Sequence, residues 1–118
     1  MTFGEFIKEK RQIKGFTLRS FADKIGIAPA YMSDIEKSKR NAPTKEILDK
    51  MIDRLGLSSD EISELYDLAA KSKDTVAQDL KEYVSDIQAV RVALRKAKEL
   101  NLKEAEWLKI IDEISKQN

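Results

Sequence analysis

The segment from Thr17 to Lys37 leaves this chain fewer folding choices than any other. Apolar residues fall at Leu18, Phe21, Ala22 and Ile25, steps of three and four that mark one face of a helix; after Gly26 they resume at Ile27, Met32 and Ile35. One helix therefore runs from Leu18 to Ile25, and a second follows from Pro29 to Lys37. Gly26 suits the left-handed residue past a helix end, and Pro29 suits the first turn of the next helix, where a missing N–H costs nothing. Thr17 stands where its hydroxyl can take an orphan N–H of the first helix. A small residue at Ala22, facing the turn, lets the two axes cross closely.

The rest of the chain must cover that pair. Thr2 and Glu5 have the spacing of a capping box, followed by Phe3, Phe6, Ile7 and Ile13, which reads as a helix closed by Gly15. From Pro43 and Thr44 a helix buries Ile47, Leu48, Met51, Ile52 and Leu55 and stops at Gly56. Ser58 and Glu61 form a second capping box ahead of Ile62, Leu65, Tyr66, Leu68 and Ala69. The four glycines, Gly4, Gly15, Gly26 and Gly56, are read as isolated turn positions, not as a phosphate loop.

Charge separates along the chain. Residues 1–45 hold ten Lys/Arg against five Asp/Glu, a balance of +5, which leaves twelve against sixteen, or −4, for residues 46–118. A basic front and acidic back suit a molecule that presents one face to phosphates. The chain has no cysteine and no histidine, which removes disulfides, thiol nucleophiles, Cys- or His-based metal sites and the usual general base near neutral pH. No catalytic constellation, metal site or cofactor is therefore expected, and the chain is not read as an enzyme. No apolar run approaches the ~20 residues that span a bilayer, and the N-terminus has no signal-peptide core. No membrane association is expected, and the cytoplasm is the default compartment.

At Ala22, Gly26, Met32 and Ile35 the sequence resembles the helix-turn-helix of the Xre/Cro family of phage and bacterial repressors. The likeness extends through residues 14–17 before the motif and residues 35–40 after it, and covers residues 2 to about 71. It implies an all-α fold, a five-helix lambda-repressor-like helix-turn-helix domain over residues 1–72; the C-terminal helical extension expected over 73–118 lies outside the likeness and is read from its own apolar pattern. The likeness also implies that Arg11 pairs with Glu36, locking the first helix to the third and aiming Arg11 at a phosphate. The helix from Pro29 becomes the recognition helix, with Ala28, Pro29, Ala30, Ser33 and Asp34 facing bases. Thr17, Arg19, Tyr31, Lys37, Lys39, Arg40 and Lys45 are the expected phosphate contacts. The base-facing set departs from the family pattern, since it lacks the arginine, glutamine or asparagine that make the strong base pairings. Readout falls to an Ala28 or Ala30 methyl, the Ser33 hydroxyl and the Asp34 carboxylate, with DNA shape contributing.

In residues 73–118, Leu80, Tyr83, Ile87, Val90, Leu94 and Ala97 form a heptad-like stripe that residues 85 and 86 can interrupt. A last helix carries Leu102, Ala105, Leu108, Ile111 and Ile114, widened by Trp107 and Ile110. This is more apolar surface than a helical hairpin hides from itself. Ile87, Val90, Leu94, Trp107, Leu108 and Ile111 are the candidate interface, for a second copy, for another protein, or for the chain's own front half. The expected function is a sequence-specific, dimeric transcriptional regulator, read as a repressor, bound to double-stranded DNA. The alternative is an antitoxin-like or protein-interaction module whose tail holds a different protein.

Overall fold

Three hydroxyls start three of the helices in the computed structural model, which describes residues 1–117. Thr2 accepts from the Glu5 N–H and caps α1 (Phe3–Ile13); Thr17 accepts from the Ser20 N–H and caps α2 (Leu18–Ile25). α3 (Pro29–Glu36) starts on Ala28 with proline in its first position and no side-chain cap, and α4 (Lys45–Leu55) starts on Thr44. Ser58 accepts from Glu61 and caps α5 (Ser59–Ser72). α6 (Gln78–Asp86), α7 (Gln88–Glu99) and α8 (Glu104–Ser115) follow, and among the described residues there is no strand. No helix among them is long and apolar enough to cross a membrane.

The chain divides into two units between Lys81 and Glu82. The division lies beyond the sequence boundary at 72 because α5 is followed by Ala77, which is buried in the core of the first unit. That core joins Phe6 and Ile7 of α1, Phe21, Ala22 and Ile25 of α2, Met32 and Ile35 of α3, Leu48, Met51 and Leu55 of α4, and Leu65 of α5. Gly26 closes α2 at φ 75°, a left-handed conformation that glycine adopts without a Cβ penalty, and the Ile27 N–H returns to the Ala22 carbonyl across the turn.

Gly4 is not at a turn. It lies in the first turn of α1, where an added Cβ would stand 2.4 Å from the Ile35 carbonyl oxygen and 2.6 Å from that of Glu36. The missing side chain is what lets α1 approach the C-terminal end of α3.

Lys10 fastens α1 to α5. Its ammonium lies 2.7 Å from the Glu61 carboxylate and 5.4 Å from the centre of the Phe6 ring. The Lys10 bond, helped by the Ser58 backbone N–H, holds the Glu61 carboxyl down at about 2 from an ordinary 4.5, while Lys10 is itself raised by the same bond. A folded pKa below the unfolded one gives a contribution complete above pH 4.5 and lost as pH falls toward 2. Wild-type stability, followed by urea denaturation, is therefore expected to fall more steeply across that window than the stability of Glu61→Gln. Parallel curves would remove the Lys10–Glu61 pair as a contributor.

In the second unit the apolar stripe is not one helix. Ile87 has extended geometry (φ −116°, ψ 104°) and separates α6 from α7. The Arg91 guanidinium donates to the Val84 carbonyl at 2.9 Å and to that of Ser85, so it caps the end of α6. Asn101, at φ 55°, takes the left-handed position between α7 and α8, and the Leu102 N–H closes the turn on the Ala97 carbonyl. Ala97 is buried, Val90, Trp107 and Ile110 are half-buried, and Ile87, Leu94, Leu108 and Ile111 are exposed.

Candidate nucleic-acid interface

α3 packs on both α1 and α2, and one buried ion pair fixes its far end. Arg11 of α1 donates through Nε to Glu36 Oε2 at 2.7 Å and through Nη2 to Oε1 at 2.9 Å, a two-pronged bond to the last residue of α3. Its remaining nitrogen, Nη1, donates to the Phe16 carbonyl at 2.8 Å, in the segment that leads into α2. Arg11 and Glu36 are only 7% and 8% exposed. One guanidinium thus ties together α1, the entry to α2 and the exit of α3. It does not aim at a phosphate: all three nitrogens are occupied and the side chain is buried, so that expectation is corrected.

The outer face of α3 is narrower than its sequence suggests. Ala28 and Ala30 are exposed, but Pro29, Tyr31, Ser33 and Asp34 are half-buried, because a helix wedged against two neighbours has little free circumference. The base-facing candidates therefore amount to two exposed methyl groups with a hydroxyl and a carboxylate set lower beside them.

Cations lie past the C-terminal end of this face and at the start of α2. Lys37 caps α3, and Lys39 and Arg40 follow in the turn, while Arg19 occupies the first turn of α2. All four are exposed, and among the described residues none of them forms an ion pair. The turn that carries Lys39 and Arg40 is held in shape. Ser38 is left-handed at φ 62°, the Lys39 N–H returns to the Asp34 carbonyl at 2.8 Å, and the Ala42 N–H donates to Ser72 Oγ at 3.1 Å. The Arg40 guanidinium lies 5.7 Å from the centre of the Tyr31 ring, a cation–π contact that places it beside α3. In α2, Thr17 satisfies one N–H of the first turn, and Arg19 adds positive charge where the helix dipole is already positive. An anion is the partner that such an end accepts.

Lys45 differs from the other expected phosphate contacts. It lies 3.1 Å from Asp49, which also accepts from the Tyr66 hydroxyl at 2.8 Å. That hydroxyl holds the Asp49 carboxyl below its ordinary range, and burial together with Asp49 pushes Tyr66 up to about 12. Lys45 thus starts at least partly neutralised. Sequence reasoning missed this chain and the stacking of Arg40 on Tyr31, for neither has a signature in local spacing.

A helix pair with a capped first helix, a left-handed glycine turn and an anchored second helix is a helix-turn-helix domain. A sequence profile of the Helix-turn-helix family matches residues 7–62. The HTH-type transcriptional regulators SinR of Bacillus subtilis (strain 168) and Bacillus licheniformis are each 38% identical over 48 residues, 41% of this chain and 43% of theirs. The match thus spans less than half the length of the SinR proteins. The uncharacterized HTH-type transcriptional regulator YazB of Bacillus subtilis is 33% identical over 61 residues, 52% of this chain and 87% of YazB. A solved SinR protein/SinI protein complex contains a chain with the same fold (TM-score 0.51, 22% identity) over 98% of this chain and 97% of its own. The chain belongs to the helix-turn-helix family, of Xre and lambda-repressor type.

Proposed function

We propose that the protein is a sequence-specific DNA-binding transcriptional regulator that acts as a dimer and represses by occupying an operator. The observation that carries this reading is α3, clamped by the Arg11–Glu36 pair, with Lys37, Lys39 and Arg40 past its C-terminal end and Arg19 at the start of α2, none of them in an ion pair among the described residues. In the mechanism it supports, α3 enters the major groove with Ala28 and Ala30 leading, and their small size permits a close approach. Ser33 and Asp34 reach base edges beside them. Arg19, Lys37, Lys39 and Arg40 take phosphates on either side and supply most of the affinity. Two copies present two α3 helices about one DNA turn apart. The reading assigns the chain no catalysis, no cofactor and a place in the cytoplasm, where DNA is accessible.

The experiment is Arg40→Ala. Loss of one phosphate contact is expected to weaken binding to every duplex alike and to reduce the salt slope by about 0.9. If affinity changes for a single sequence only, Arg40 reads bases and its phosphate role is wrong.

A second reading draws on the exposed apolar side chains of α8, together with a neighbour of like fold solved as a complex of two different proteins. In it, the tail holds a different protein, as an antitoxin would. Sedimentation separates the readings, since a tail built for another protein leaves the purified chain monomeric.

A further inference from the structure

A cleft of about 430 Å³ opens between the start of α1, the turn after α3 and the end of α5, within the first unit. Small-molecule sites occupy about 300–1,000 Å³ and are mostly apolar, with a few polar groups that select the ligand. The floor here is Phe3, Gly4, Ile35, Ala42 and Leu68. Phe3, Ile35 and Ala42 are at most 5% exposed, so a broad protein surface laid over the mouth gains little contact with them, whereas a slender chain reaches in. The mouth is cationic. Among the described residues that line the cleft, Arg40 and Lys71 carry the only charged side chains, and both are exposed and outside any ion pair. The hydroxyls of the rim are committed elsewhere: Ser38 donates to Thr2, Thr2 accepts from the Glu5 N–H, and Ser72 accepts from the Ala42 N–H and donates to the Ala69 carbonyl. Apart from the Asn41 amide, what is left to recognise a ligand is positive charge above an apolar interior.

We propose that this cleft binds a medium-chain fatty carboxylate, its alkyl chain on the apolar floor and its carboxylate between Arg40 and Lys71, and that binding releases DNA. The release rests on the function proposed above, because Arg40 is shared. Its guanidinium lines the cleft and also lies 5.7 Å from the centre of the Tyr31 ring on α3, where it is assigned a phosphate. A carboxylate held at Arg40 neutralises the charge that a DNA phosphate requires, so each ligand opposes the other. By linkage, the factor by which the carboxylate weakens DNA binding is the factor by which DNA weakens the carboxylate. Lys71 stands apart from the DNA contacts, in the last turn of α5. A lysine there also complements the helix dipole, a role that acts on stability alone. Charge selects the head of the ligand and the floor selects its chain, so a neutral alcohol and a short acid each satisfy only half of the site.

The probe is decanoate below its micellar range, on the full chain, with decanol, acetate and decyltrimethylammonium as controls. Calorimetry without DNA is expected to show one decanoate per chain and every control at least about tenfold weaker. Saturating decanoate is expected to weaken DNA binding about eightfold at about 0.1 M salt, the effect of one lost phosphate contact. Lys71→Gln is expected to bind DNA like the wild type, yet to need at least about tenfold more decanoate for the same release. A lysine that serves only the helix dipole would shift stability and leave the decanoate titration unmoved. Decanoate that does not bind, that binds no better than decanol, or that releases DNA from Lys71→Gln at wild-type concentrations overturns the site. Affinity for decanoate that rises as the protein is diluted means that a second copy covers the cleft, and overturns the fatty acid as its occupant. Binding without release overturns the link through Arg40. If the wild type binds no duplex, the DNA reading fails, while calorimetry still decides the cleft.

Discussion

Glu36→Ala is expected to destabilise the N-terminal unit by about 3–5 kcal/mol, the cost of leaving one member of a buried ion pair without its partner. The variant strands the Arg11 guanidinium at a site that is 7% exposed, with only the Phe16 carbonyl left to receive it. The functional loss exceeds the loss of stability, because the same guanidinium fixes the end of α3 relative to the entry of α2. Arg11→Met combined with Glu36→Leu is expected to recover much of the stability, since replacing a buried pair with apolar residues of similar volume is often neutral or better. Urea denaturation of Arg11→Met, of Glu36→Leu and of the double variant measures the coupling directly. A Glu36→Ala protein within about 1 kcal/mol of wild type would place the pair in solvent and remove it as the clamp.

The second large effect is expected at Gly4. In an ordinary helix interior, glycine to alanine stabilises by about 1 kcal/mol. Here the new Cβ meets backbone oxygens of Ile35 and Glu36, at 2.4 and 2.6 Å, which cannot rotate away as a side chain would. Overpacking of this kind costs about 1–3 kcal/mol, and because α1 must back away from α3, the Arg11–Glu36 bonds lengthen as well. Gly4→Ala is therefore expected to be less stable than wild type despite the gain in propensity, with weaker DNA binding in the folded fraction. Denaturation at neutral pH checks it: a variant as stable as wild type would mean that the two helices are not held at this distance.

What could be read from the sequence was what is written locally. Thr17, Gly26, Pro29 and Gly56 punctuate the chain through their own backbone chemistry, and the helices begin and end beside them. The Arg11–Glu36 relation came from the likeness to repressors, since nothing in the spacing of two charges twenty-five residues apart announces a pair. Gly4 was misread because a glycine that permits close approach looks the same in sequence as one that makes a turn. Lys10 with Glu61, and Asp49 with Tyr66, meet only after α1, α4 and α5 have packed. The break that residues 85 and 86 allow in the apolar stripe falls at Ile87, and what the sequence does not show is Arg91 reaching back to the carbonyls that end α6. Ser33 and Asp34 lie on the outward side of α3 by period, but the neighbouring helices decide how much of them stays uncovered.

The most direct test of the central claim, that α3 and its flanking cations form a DNA-binding face, is equilibrium binding of the full chain across a salt series. Random duplex is compared with the duplex from upstream of its own coding sequence. Four phosphate contacts, from Arg19, Lys37, Lys39 and Arg40, predict that log K falls with log salt at a slope of about −3.6 per copy, with the upstream duplex preferred. A folded protein that binds neither duplex at low salt would contradict the account and leave the helix-turn-helix as a scaffold for protein contacts.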